Sequence, residues 1–239
     1  MAVTDLATTS PLTAPATELR PVVYDLYRDI HKGIRAELFA LTQAAGDLDP
    51  SSEPERHALA DQMHQVVTIL VNHAGHEDAW VQPALERHLP PLAERIHADH
   101  PVLEARIEDL LGRAEDNAAA TTDLRWRTHR LYVETASFTS AYLAHQDFEE
   151  RVVMPALEAA IGPEAVIEMD RALVAAIPPD EAAATLAFMI PAMNIDDRAD
   201  LLGGMREGAP ADLFAGVWGL VRSVLDPRDV DALAARLDL

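Results

Sequence analysis

Two stretches of this sequence repeat the same metal-binding residue types at the same spacing. The first runs His73, Glu77, Asp78, Val81 and then Pro83-Ala84-Leu85-Glu86. The second runs His145, Glu149, Glu150, Val153 and then Pro155-Ala156-Leu157-Glu158. Over fourteen positions seven are identical and one pairs Asp with Glu, which chance rarely provides. Residues four apart on an α-helix share a face and are separated by about 6 Å along its axis. An imidazole and a carboxylate so placed can converge on one point in a bundle core. Two such helices facing each other deliver two imidazoles and two carboxylates. The carboxylates can bridge two cations while neutral imidazoles cap each cation from outside, and mixed N/O ligation of this kind suits iron or manganese. A single His-x-x-x-Glu is usually an ordinary surface pair. It is the pairing in register that points to a metal centre.

Further histidines precede each copy. His31 lies 42 residues before His73, and His100 lies 45 before His145. The segment therefore reads as a duplicated helical hairpin, each copy contributing His and then His-x-x-x-Glu. The duplication assigns His31 and His73 to one metal and His100 and His145 to the other, with Glu77 and Glu149 between them. His97 breaks this symmetry, because its counterpart is Arg28. Three residues before His100, it is a ligand, a group behind the ligands or a solvent-facing residue. An imidazole in an apolar core needs a partner, which favours ligation and a three-plus-two arrangement. His76 falls on a different face from His73 and reads as an outer or surface residue. His57, His64, His88 and His129 have no partner in the repeat. Tyr27 and Tyr142 stand four and three residues before ligand candidates, near enough to approach the metals, although core packing is the simpler role.

Four long helices must position these groups: about 18–45, 53–88, 91–116 and 122–161. Gly46, the Asp49-Pro50-Ser51-Ser52 turn, Pro90-Pro91 and Gly162-Pro163 separate them. Short connections between long helices imply antiparallel neighbours, so the expected fold is an all-α, up-down-up-down four-helix bundle over 18–162. Residues 1–17 read as a disordered tail. After Gly162 the helices shorten and Pro and Gly punctuate them, giving a small helical domain over 163–239 that contains no histidine. Phe188, Met189, Met193, Phe214 and Trp218 are its expected core.

With 239 residues and about half of them apolar, the chain can form a substantial core. The absence of cysteine excludes disulfides, iron–sulfur clusters and thiolate zinc sites. The net charge is −21, with an acid excess in both parts, which argues against nucleic acid and anionic membranes as partners. No stretch approaches a membrane span and the start does not read as a signal peptide, so the expected location is cytoplasmic. Ferritin-like carboxylate centres need Glu-x-x-His on two helices. Only Glu94-x-x-His97 fits that pattern, without a second copy.

The order of motifs resembles the hemerythrin-like, or HHE cation-binding, family over about residues 20–160. The matching features are His31, His73-x-x-x-Glu77 followed by Pro83, Asp99-His100, and His145-x-x-x-Glu149 followed by Pro155. The resemblance implies a four-helix bundle with an oxo- or hydroxo-bridged pair of non-haem iron ions. Its metal ligands would be His31, His73, Glu77, His97, His100, His145 and Glu149. It implies a small-molecule ligand: oxygen, nitric oxide or peroxide. The fourth helix offers Glu149 four residues after its histidine, where invertebrate oxygen carriers use an aspartate five residues on. The third helix spaces its histidines, His97 and His100, by three rather than four. Both departures direct the expectation away from reversible oxygen carriage. Binding or sensing of oxygen, nitric oxide or iron is expected first, and a peroxide-decomposing enzyme is the alternative. A metal-stabilised interaction protein, using the C-terminal unit as the surface for a protein partner, is the third reading. That unit is similar to helical extensions in which an Asp-Arg-x-x-Leu-Leu stretch, here Asp197 to Leu202, precedes a Pro and an apolar helix.

Overall fold

The computed structural model describes residues 18–239, and the tail expected over 1–17 lies outside the described residues. Every regular element among the described residues is helical. The first four segments are α1 (Arg28–Asp47), α2 (Glu53–His76), a π-turn (Glu77–Val81) and α3 (Gln82–His88). Then come α4 (Pro90–Ala118), α5 (Leu124–Phe148), a second π-turn (Glu149–Val153) and α6 (Met154–Ile161). The shorter helices that follow are α7 (Pro163–Ala176), α8 (Pro179–Ala192), α9 (Ile195–Gly208), α10 (Ala211–Val224) and α11 (Pro227–Arg236).

Helix boundaries follow local chemistry. Ser52 caps α2 by accepting from the Glu55 N–H, and Pro54 occupies the first turn, where its missing N–H costs nothing. Gly162 adopts φ 85°, which ends α6, and Pro163 starts α7. The first helix begins at Arg28, later than the expected residue 18. Asp25 Oδ1 accepts from the backbone N–H groups of Tyr27 and Arg28 at 3.0 and 3.2 Å and so sets the start. The chain before it is pinned to the far end of the bundle. Glu158 accepts from the Val23 and Tyr24 N–H groups, and the Tyr24 hydroxyl donates to Asp170 at 2.6 Å.

The bundle core is split in two. One apolar cluster includes Ile34, Leu38, Met63, Val66, Leu103, Ile107, Phe138 and Tyr142. The other includes Tyr27, Val81, Leu85, Ile96, Val153, Met154, Leu157 and Val166. On every long helix the histidines and glutamates of the repeat fall between these clusters. Val166 of α7 belongs to the second cluster, so packing attaches the first helix after Gly162 to the bundle. The separate core starts with α8 and contains Leu186, Met189, Ile190, Met193, Leu202, Val221 and Leu233, with Phe214 and Trp218 packed against it.

The C-terminal unit sits on α1 and α2. A Cβ at Gly33 would lie 2.7 Å from the Phe188 ring and 3.1 Å from Met189 Cα, so only glycine lets α8 come so close. Asp197 pairs with Lys32 and Arg28 of α1, and Glu181 of α8 lies 3.1 Å from His76 of α2. Arg198 donates to the Ile190 and Pro191 carbonyls, tying α9 to the end of α8. The Asp-Arg pair of the C-terminal motif thus joins this unit to the bundle and closes its own corner.

Candidate metal centre

Both π-turns open on the glutamate of the repeat. The Gln82 N–H reaches back five residues to the Glu77 carbonyl, and Met154 does the same to Glu149. Pro83 and Pro155 explain the wider turn. Each lacks an N–H, and its ring would clash with a carbonyl four residues back in a regular helix. Adding one residue to the turn removes the clash. Helical periodicity does not register these turns, and a proline six residues after each glutamate is their trace in the sequence.

The side chains converge as the duplication requires. His31, His73, Glu77 and Glu149 form one buried group, and Glu77, His100, His145 and Glu149 form another, with the candidate ligand atoms of each group within 4.8 Å of one another. The glutamates belong to both. Glu77 turns Oε1 to His73 Nε2 at 3.4 Å and Oε2 to His100 Nε2 at 3.3 Å. Glu149 turns Oε1 to His145 Nε2 at 3.0 Å and Oε2 to His31 Nε2 at 3.5 Å. Each carboxylate therefore divides its oxygens between the two histidine pairs.

His97 is not brought into either group. It is exposed on α4, while the buried line of that helix passes through Ile96, His100, Leu103 and Ile107. Three residues turn a helix by about 300°, which leaves His97 about 60° off that line. The three-plus-two arrangement is not formed. His57, His64, His88 and His129 are exposed, as the repeat implied, and His76 faces Glu181.

Outer partners aim the inner rings. With Nε2 turned inward, Nδ1 carries the proton: His31 Nδ1 donates to Glu150 Oε1 at 3.0 Å and His100 Nδ1 to Asp78 Oδ1 at 2.9 Å. The second acid of each copy therefore reaches across to the histidine of a neighbouring helix. The repeat displayed this acid, but spacing alone did not show which ring it holds. Tyr27 stacks on His31 with centroids 4.9 Å apart, and Tyr142 meets His145 edge-on at 6.0 Å.

Burial and charge tune the cluster. Burial holds His73 down to about 4 despite the pull of Glu77. Burial also lowers His145. On His100 burial acts downward too, but the Glu77 and Asp78 carboxylates outweigh it and raise that ring to about 9. Burial and the charge on Glu77 push Glu149 well up, while the surrounding histidines, His73 first, hold Glu77 down against its burial. Burial, then the charges on Glu77 and Glu149, raise Tyr27 and Tyr142 well above the usual phenol range.

The donor set fits metal ions. All four oxygens of Glu77 and Glu149 and the Nε2 of His100 are buried without a hydrogen-bond partner. An orphaned buried polar group costs about 1–3 kcal/mol, more when charged. Two facing carboxylates repel each other at that depth. Cations between the histidine pairs would satisfy every one of these atoms at once.

Comparison with known proteins agrees with this geometry. Residues 22–157 match the family model of the hemerythrin HHE cation-binding domain, close to the 20–160 that the motifs marked out. No curated protein and no solved structure matches the chain.

Proposed function

The chain belongs to the hemerythrin HHE cation-binding family, and from that premise we propose that it holds two iron ions and uses them to bind a small ligand of the oxygen, nitric oxide or peroxide class. His31 and His73 hold one ion, and His100 and His145 hold the other. Glu77 and Glu149 are shared. The observation that carries this reading is the division of each glutamate's two oxygens between the two histidine pairs. Bound iron supplies Lewis acidity and one-electron redox capacity.

The chain's own residues favour binding over turnover. Each place offers two imidazoles and two carboxylate oxygens, a mixed N/O set of the kind that leaves positions open on non-haem iron. A cavity of about 10 Å³ touches His100, His145 and Tyr142 and is otherwise walled mainly by apolar side chains such as Leu103, Ile107 and Phe138. That is close to the smallest space that accepts one water-sized molecule. The Tyr27 and Tyr142 phenols keep their protons near neutral pH, which suits them to donate a hydrogen bond and not to act as general bases.

The test is the optical spectrum of the iron-loaded full chain, alone and with azide, nitric oxide or peroxide. The expected result is charge-transfer bands that shift at stoichiometric ligand. Many equivalents of peroxide consumed without loss of the bands would favour the enzymatic alternative. No response to any of the three would overturn the ligand-binding reading.

A further inference from the structure

The duplication matches the inner residues of the two metal places but not the charges behind them. Behind His31 stands Glu150, whose carboxylate is gripped by Arg35 through Nη1 at 2.7 Å and Nη2 at 3.0 Å. That pair is neutral as a unit. Behind His100 stands Asp78 at 2.9 Å, and among the described residues no lysine or arginine is ion-paired with it. Counting four residues on from His31 gives Arg35, whereas four on from His100 gives Glu104, a reversal of charge. Glu104 lines the cavity beside His100 and His145.

The fourth histidine repeats the contrast. His145 Nδ1 is buried without a hydrogen-bond partner, with Asp99 Oδ2 the nearby acid at 3.6 Å, and Asp99 shares only a loose contact with Arg95 at 3.8 Å, whose guanidinium lies over the Phe148 ring. The position matching Asp99 in the first half is Ile30, which offers His73 no acceptor. The His31/His73 place therefore has one acid against its rings, Glu150, neutralised by Arg35, with Glu181 farther out beside His76. The other has Asp78, Asp99 and Glu104 with one partial counter-charge.

An imidazole that donates from Nδ1 to a free carboxylate is a stronger donor at Nε2, and a surplus of negative charge attracts a cation further. We infer that the two metal places are unequal: the His100/His145 place takes a divalent cation first and more tightly, with Asp78 the positioning residue hydrogen-bonded behind His100 and Asp99 adding negative charge beside His145. This inference rests on the two-metal reading above.

Anaerobic titration of the metal-free full chain with Co(II), followed by its visible bands and by calorimetry, tests it. Two steps of unequal affinity are expected. Asp78→Asn should weaken the first step by about 10–100-fold, the usual effect of losing an outer-shell partner, and alter the bands of the one-equivalent form. Asp78→Glu should restore both. Asp99→Asn should weaken the same step, and it gives an independent reading if Asp78→Asn does not fold. Glu150→Gln should weaken the second step only. Two metals bound with equal affinity would overturn this inference and leave the shared site standing, as would a Glu150→Gln effect confined to the first step. Fewer than two metals per chain would overturn the two-metal reading itself.

Discussion

Between its apolar clusters the bundle buries four histidines and two glutamates, whereas the core of α8–α11 is Leu186, Met189, Ile190, Met193, Leu202, Val221 and Leu233. The two regions lie side by side, and both are built from amphipathic helices ended by Gly or Pro. Both bury ionisable groups, but among the described residues only the bundle leaves carboxylate oxygens in its core without a hydrogen-bond partner. The C-terminal unit does bury Asp197 and Arg198, but each has partners: Asp197 on Lys32 and Arg28, and Arg198 on two carbonyls and Asp229. The bundle's glutamate oxygens have none. The contrast teaches that burial of a charged residue does not by itself mark a site. A buried charge left without a partner, repeated at two related positions, does.

The largest effect is expected at Glu77 and Glu149. Glu77→Ala or Glu149→Ala should abolish paired metal binding, a loss exceeding the about 10–100-fold typical of outer-shell changes. Metal analysis of each variant checks this, and unchanged metal content in both would remove the basis for a shared site. Metal removal comes next. A chelator should lower the unfolding temperature of the bundle, since a ligand at 100 times its dissociation constant stabilises by about 2.7 kcal/mol. Calorimetry with and without metal reads the shift.

Truncation sharpens the boundary between the two regions. A chain ending at Ile177 should keep both metal places, because α7 stays with the bundle. One ending at Gly162 removes Val166 and Met169 from the second cluster and the Asp170 acceptor of Tyr24, and should be less stable by at least about 1.5–3 kcal/mol, the worth of one buried aliphatic side chain. Denaturant unfolding of the two chains compares them, and equal stability would contradict the packing of α7. The smallest effect is expected at His97. It is exposed on α4, so His97→Ala should leave metal content unchanged and stability within about 0.5 kcal/mol. A lost metal in that variant would return His97 to the ligand set.

Much of this arrangement was legible in the sequence. His73/Glu77 and His145/Glu149 could be read because duplication supplies its own control: two copies in register are improbable without a shared constraint. His31 and His100 followed from the same repeat. His97 misled because spacing alone places it within a turn of His100. The apolar stripe of Ile96, Leu103 and Ile107 already marked the inward line and excluded it. The start of α1 depended on a carboxylate, Asp25, turning back onto two N–H groups, which a helical periodicity does not register. The π-turns and the pairing of Glu150 with Arg35 arise from contacts between helices and from proline's clash with its own helix. Both are three-dimensional consequences, with only Pro83 and Pro155 as visible traces.

Metal content together with magnetic coupling, measured on the iron-loaded full chain, reads directly whether two metals share Glu77 and Glu149. Two iron ions per chain are expected, with spins coupled through the shared carboxylates. One metal per chain, or two irons that behave as independent ions, would contradict the shared site.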